Sequence, residues 1–335
     1  MRPRGAGIAI VLLAACLAWA PAGAADFYQG KTLTLIAGFA PGGGVDLGAR
    51  LIARHIGRFI PGKPATLVQN MPGAAGLVAA NHIFARAAAD GLTLAVPGRE
   101  WPLAAALGEQ GALYDPLKLA WIGSSGAGNE LLWLRADSGV TSLAALKASP
   151  RKIVVGGLGR TTPTASVPLL MAAEGLPLAV VPGYDATASI LLALEQKEVS
   201  GLFTQESTFG RRHDLIDKGV ILPVLQTEAQ KPGLPLIDAV IPPARRPLLK
   251  VLSASVAFGL PLVGPPAMPE ERVALLRKAF LAMAQDREFQ ADALTISEPV
   301  GYPIDGASLA KLVADSVAAA TPEVVEGYKK LTGKP

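Results

Sequence analysis

"GFAPGGGVDLGAR" (Gly38–Arg50) joins an apolar run to a periodic one. Before it, "TLTLIAGF" (Thr32–Phe39) reads as a buried strand. After it, Leu47, Leu51, Ile52, Ile56 and Phe59 recur at helical spacing, and Pro61-Gly62 ends the pattern. Gly42, Gly43 and Gly44 therefore sit at a strand-to-helix turn. Such a turn can present backbone amides at a helix N-terminus, where an anion binds readily. The same glycines also suit a tight turn with no ligand. Nucleotide chemistry is disfavoured, because no lysine-serine or lysine-threonine pair closes the loop and the glycine spacing is not the dinucleotide fingerprint. Asp46 suits a helix start; a contact to ligand or ordered water is its other reading.

The plan repeats along the chain. "ATLVQN" (Ala65–Asn70) is a second strand, "NMPGAAG" (Asn70–Gly76) a second glycine loop, and 77–88 a second helix. Asp90-Gly91 then turns into "LTLAV". Strand, helix, strand, helix at this spacing predicts a parallel sheet with crossover helices. The pattern restarts at "KIVVGG", which runs into "GGLGRTTPTAS" (Gly156–Ser166), a helix over 167–174, the strand "LAVVPGY", a helix over 186–197 and the strand "VSGLFTQES". Ser253–Pro266 reads as extended, and the remainder as helical. Two α/β units joined by extended strands, near Asn129–Arg135 and Ser253–Leu262, predict two lobes with a cleft between them. Small ligands favour such interfaces and the carboxyl ends of parallel strands.

Length and composition agree. The chain has 335 residues, 50% of them hydrophobic, enough for two lobes, and only 5% aromatic, so the core is aliphatic. Residues 1–24 read as an export signal: Arg2 and Arg4, then an apolar run, Pro21, and small residues to Ala24. The run is too short for a membrane span. Cleavage would remove two of 31 basic residues and none of the 27 acidic ones, leaving a formal charge near +2. That balance does not call for nucleic acid. Cys16, the single cysteine, lies inside the signal, so the mature chain has no thiol chemistry. "LAAC" (Leu13–Cys16) also fits a lipid-modified cysteine, an alternative to cleavage near Ala24.

Catalysis has little to stand on. His55 and His82 fall in helical patterns, and no histidine pair, His213 included, has metal-ligand spacing. No serine elbow appears. A secreted hydrolase using Ser124 or Ser166 lacks a visible serine–histidine–acid constellation. Glu100, Glu130 and Glu206 stand near strand ends, where single carboxylates are usually solvated or paired. Arg160, with its planar fork, is a candidate for gripping a carboxylate; a solvated loop arginine is the alternative. No cofactor and no metal is expected.

The chain resembles the Bug-type extracytoplasmic receptors of tripartite tricarboxylate transporters. The resemblance rests on Phe39, Pro41, Gly42, Gly43, Asp46, Ala49 and Arg50; on Asn70, Pro72, Gly73, Ala74 and Gly76; on Asp90, Gly91, Thr93 and Leu94; on Tyr114, Asp115 and Pro116; and on "EPVGYP" (Glu298–Pro303). It implies a type II periplasmic-binding-protein fold, two α/β lobes joined by extended hinge strands that close on a small ligand, often a carboxylate. Residues 25–128 and 262–335 would form one lobe and 129–261 the other. It also implies a periplasmic monomer without enzymatic activity, serving membrane transporter components or, in some members, a sensor kinase. Family ligands are held largely by loop amides and ordered water.

The ligand-binding set expected on this basis is Phe39, Pro41, Gly42, Gly43, Gly44 and Asp46 in the first loop, and Asn70, Gly73 and Ala74 in the second. Arg99, Glu100 and Trp101 follow the third strand. Gly157, Gly159, Arg160, Thr161, Thr162, Tyr184, Asp185 and Glu206 complete it from the second lobe. The chain departs from the family pattern at Thr161, Thr162 and Ala165, at "PGYDA" (Pro182–Ala186), and at Arg99–Trp101. An acid such as Glu100 or Glu206 in the cleft would suit a ligand with an amino group, and Trp101 would offer a stacking face.

Overall fold

The computed structural model describes residues 27–42, 44–126, 128–184, 187–296 and 303–333. The signal segment with Cys16, and also Gly43, Asp185 and most of Glu298–Pro303, lie outside these residues. The chain lays down β1 (Thr32–Ala37), β2 (Ala65–Asn70), β3 (Thr93–Val96) and β4 (Ala120–Ser124). It then passes to β5 (Glu130–Arg135), β6 (Ile153–Gly156), β7 (Leu178–Val181), β8 (Gly201–Gln205) and β9 (Ile221–Gln226), and returns as β10 (Pro261–Gly264) and β11 (Ile304–Asp305).

Two mixed sheets result, ordered β11-β4-β10-β3-β1-β2 and β7-β6-β8-β5-β9. The expected parallel pairing holds within each first trio, where β1 lies between β2 and β3, and β6 between β7 and β8. Leu35, for example, stands beside Val68 and Leu94. The trios share one winding plan, so the repeat read in the sequence is a repeat of topology. The strands that complete each sheet, β4 with β10 and β5 with β8 and β9, pair antiparallel. β1 is an interior strand, paired on both sides, and buries Leu33, Leu35, Ile36 and Ala37, whereas β2 is an edge strand whose residues alternate in exposure.

The helices follow their apolar periodicity. Helix Gly44–Ile56 buries Leu51, Ile52 and Ile56 against the first sheet. Helix Glu270–Ala284 covers β4 with Leu276, Phe280 and Met283. One expectation is corrected: Ser253–Ala257 is not extended but completes the helix Arg246–Ala257, and only Pro261–Gly264 is strand. The reason is periodicity, since Leu248, Leu252 and Val256 recur on one buried face that packs on helices Pro163–Ala173, Gly306–Ala319 and Pro322–Thr332. The last helix, Pro322–Thr332, thus rests on helices Pro163–Ala173 and Arg246–Ala257.

The two crossings between the sheets touch each other. The Ser124 hydroxyl donates to the Phe258 carbonyl (2.5 Å), and the Ser125 amide to that of Leu260 (3.4 Å). Gly259 has φ +60°, and a Cβ there would stand 2.2 Å from the Gly126 carbonyl oxygen. Only glycine fits a left-handed residue with backbone so close. Among the described residues no helix is long and apolar enough to cross a membrane.

Candidate functional site

A cavity of about 420 Å³ opens where the loops of both sheets meet. The first sheet contributes Phe39, Ala74, Arg99 and Glu100, and the segment after β6 contributes Leu158, Thr161 and Thr162. Helix Arg246–Ala257 adds Val251, Leu252 and Ser255, and the last helix adds Tyr328. Most of the wall is aliphatic. Its charged members are Arg99, Glu100 and Glu109. The volume suits a small organic molecule.

Of the expected residues, Phe39, Ala74, Arg99, Glu100, Trp101, Thr161 and Thr162 are brought together on this wall. The Phe39 ring requires two glycines around it: a Cβ on Gly98 would lie 2.8 Å from that ring, and one on Gly76 3.3 Å from it. Gly73 precedes Ala74 in the second loop and has φ +140°.

The first glycine loop is organised otherwise than expected. Asp46 is 2% exposed and turned back on its own loop. Its Oδ2 accepts from the Gly42 amide (2.8 Å) and from Arg50 Nε (3.0 Å), while its Oδ1 accepts from Asn70 Nδ2 (2.7 Å). Asn70 also donates to the Phe39 carbonyl (2.9 Å). The Gly42 amide therefore meets the chain's own carboxylate, and Asp46 and Asn70 tie the two loops together. Burial pushes the Asp46 carboxyl up, but bonds from Arg50, Gly42 and Asn70 outweigh it and hold it at about 2. Pro41, Gly42 and Gly44, expected at the ligand, do not line the cavity; of this loop only Phe39 and Val45 do.

In the second unit three of the loop amides are engaged within the chain. The Gly157 amide donates to the Val181 carbonyl (2.9 Å), the Leu158 amide to Thr164 Oγ1 (3.0 Å), and the Thr162 amide to the Gly159 carbonyl (2.9 Å). Arg160 does not reach toward the cavity. Its Nε donates to the Thr332 carbonyl (2.7 Å) and its Nη2 to that of Leu331 (3.3 Å), so it caps the last helix. Tyr184 packs near Gly156, away from the wall. Glu206 is paired with Lys231 (2.6 Å) and His213 (3.4 Å), also off the wall. Trp101 touches the cavity but is 1% exposed, its ring edge-on to Tyr114 with centroids 5.1 Å apart and tilted against Trp121. That packing leaves no broad face for stacking.

The acids form the unusual feature. Burial pushes the Glu100 carboxyl up, opposed by its own backbone amide and the Arg99 charge. Behind it, at the start of β5, Glu130 is 4% exposed, and its Oε2 has no hydrogen-bond partner among the described residues. Burial raises it to about 8, with Arg99 opposing and Glu100 adding to the shift. The Tyr328 hydroxyl donates to Glu109 Oε1 (3.4 Å).

Sequence reading missed Glu109, Tyr328, and the Val251, Leu252 and Ser255 face. The last could have been found from the helical spacing of Leu248, Leu252 and Val256. A second cluster, His55, Asp286 and Glu288, has donor atoms close enough for a metal ion. The Arg58 guanidinium already bonds all three, with Nη2 2.7 Å from His55 Nδ1 and 3.0 Å from Asp286 Oδ1. The cluster is an ion-pair joint between helices Gly44–Ile56 and Arg287–Thr295.

Comparison with known proteins agrees with this architecture, although no family model matches the chain. The protein BugT of Bordetella pertussis is 39% identical over 83 residues, 25% of this chain and 24% of that protein. A UPF0065 protein in the gbd 5′ region of Cupriavidus necator is 32% identical over 166 residues, 47% of this chain and 48% of that protein. The matches therefore span from a quarter to about half the length of these relatives. Among solved structures, a TctC solute-binding protein from Polaromonas aligns with TM-score 0.69 at 16% identity, covering 91% of this chain and 99% of that one. MatC from Rhodopseudomonas palustris with bound malate aligns with TM-score 0.63 at 22% identity, covering 88% and 99%. The periplasmic binding protein BugD aligns with TM-score 0.61 at 21% identity, covering 91% and 98%. The fold is that of the periplasmic solute-binding proteins. Within them, sequence and fold together relate the chain to the Bug and TctC type.

Proposed function

We propose that the chain is an exported receptor that captures a small organic solute between two lobes and delivers it to the membrane components of a tripartite tricarboxylate-type transporter. The lobes are residues 25–128 with 262–335, and residues 129–261. The observation that carries the reading is the cavity at the meeting of both sheets' loops, lined by Phe39, Ala74 and Glu100 from one side and Leu158, Thr161 and Thr162 from the other. A ligand touching both sides favours the closed arrangement, and the touching crossings at 124–126 and 258–260 are the natural hinge. Malate and adipate, bound in two neighbours of the same fold, make an organic acid the first class to screen. The residues 1–24 signal would place the protein in the periplasm, as a monomer.

No chemical step is included. Ser124 is committed to the Phe258 carbonyl, Ser166 is fully buried, and His55 is locked between Asp292 (2.9 Å) and Arg58. A role upstream of a sensor kinase would use the same capture step. Small-angle scattering with and without a stabilising solute tests the closure: the radius of gyration should fall on binding. No change with a saturating solute would count against lobe closure.

A further inference from the structure

One cation on the cavity wall is left without a partner. Arg99 is the only basic side chain on that wall among the described residues. It is partly exposed and forms no hydrogen bond or ion pair with any described residue. Glu100 and Glu130 feel its charge without ion-pair contact. Glu130, raised to about 8 by burial, is largely uncharged at neutral pH and does not neutralise it. The other arginines of the expected loops are engaged, Arg50 by Asp46 (3.0 Å) and Arg160 by Thr332 (2.7 Å). Two loop amides that could have met an anion are engaged as well, that of Gly42 by Asp46 and that of Leu158 by Thr164. The planar fork of Arg99, with its five donors, matches a carboxylate.

The rest of the wall sets what that carboxylate is attached to. Leu103, Leu107, Leu158, Val251 and Leu252 make most of it aliphatic. The other polar corner is closed on itself. The Tyr328 hydroxyl donates to Glu109 Oε1 (3.4 Å) and is bonded by the Thr161 side chain, and the Thr162 hydroxyl donates to the Gly159 carbonyl (2.8 Å). A second carboxylate on the solute would find these donors taken and the Glu109 carboxyl beside them. Against the leucines and valine it would lose its water without gaining a partner, which is costly.

We infer that Arg99 is the specificity-determining residue of the cavity and that the solute is an apolar monocarboxylate. The guanidinium fork holds its one carboxylate, and its hydrocarbon body lies on the leucine and valine wall. The inference rests on the receptor reading, since it names the solute class and the anchor of the same cavity. It sets the chain apart from the neighbours that hold malate and adipate, which carry two carboxylates each.

The test is titration calorimetry of the purified mature chain with three pairs of equal carbon count: butanoate and succinate, hexanoate and adipate, octanoate and suberate. The monoacid should bind at least about tenfold tighter in the two longer pairs, and affinity should rise about fourfold for each methylene added within the cavity. A negative heat-capacity change should mark the apolar burial. Arg99→Gln should weaken hexanoate roughly 10- to 100-fold, the span of one charge-assisted contact, and hexanamide, the same body without the charge, by less than about threefold. Equal losses for hexanoate and hexanamide would overturn the role of Arg99, because they would report lost shape. Arg99→Lys keeps the charge without the fork and should recover part of the affinity; it also serves should Arg99→Gln fold poorly. Tighter binding of adipate or suberate than of the matching monoacid would overturn the inference and leave the receptor reading standing. Binding by none of the six acids would also overturn it. The receptor reading falls with it only if native mass spectrometry of the purified chain shows no small-molecule adduct either.

Discussion

Asp46→Asn removes one charge and no volume from the joint between the two glycine loops. In the wild type, two carboxylate oxygens serve three donors, from Gly42, Arg50 and Asn70, at 2.7 to 3.0 Å. An amide has one acceptor oxygen. Whichever way it turns, its NH2 faces at least one of those donors, and the other bonds lose their charge assistance. Losing one to two such bonds costs about 2–4 kcal/mol, with the Arg50 share at the low end because that side chain is half exposed. For a chain of this size the melting temperature should drop by roughly 3–6 °C. The pH dependence has a definite sign. The folded-state pKa of Asp46 is lowered to about 2, so its stabilisation is present above the ordinary carboxyl pKa and is lost as pH falls toward 2. The gap between wild type and variant should hold from pH 8 to 5 and narrow below pH 4. Melts followed by circular dichroism at pH 7, 5 and 3 measure it. Equal melting temperatures at pH 7 would refute the claim that Asp46 is an internal anion for this loop. Ligand affinity should also fall, because Phe39 and Val45 flank the loop and line the cavity.

Glu130 gives the opposite sign: its folded-state pKa is raised to about 8, so stability is greatest below the ordinary glutamate pKa and declines as pH rises toward 8. Glu130→Gln should flatten that decline and melt higher than wild type at pH 8, which scanning fluorimetry across pH 5–8 would detect. Arg160→Ala should lower stability by about 1–2 kcal/mol through the uncapped Leu331 and Thr332 carbonyls, yet change solute affinity less than about threefold. A large affinity loss in that variant would return Arg160 to the site. Gly259→Ala should destabilise the chain by more than about 1 kcal/mol, since the Cβ meets the Gly126 carbonyl and φ is left-handed; an unchanged denaturant midpoint would show that the two crossings are not in contact.

Much of the architecture was legible because it rests on periodicity. The alternation around β1, the helix after Gly44 and the repeat at β6 each follow from local apolar spacing. The misread segment, Ser253–Ala257, combines small residues with a following run of prolines and glycines that mimic a strand. Its helical face is visible only when counted back from Val256 to Leu248. The site was legible in part. Phe39, Ala74, Glu100 and Thr161 lie on loops that the strand order brings together. Tyr328 and Glu109 could not be placed, because nothing local says that the last helix folds back over the cavity. The roles of Asp46 and Arg160 were underdetermined for a related reason. A loop acid or arginine serves a ligand or its own chain according to which partner lies within about 3 Å, and for Arg160 the partner is more than 170 residues away in sequence.

The central claim is that the cavity shared by the two sheets is the capture site. Native mass spectrometry of the chain and of Thr161→Trp, purified from the same host without denaturation, tests it most directly. Thr161 is a partly exposed loop residue on the wall, so the indole should fill the cavity without entering the core. The account predicts one small-molecule adduct on the wild type and its loss in the filled variant, with both chains folded. An adduct retained equally by the two chains would contradict it.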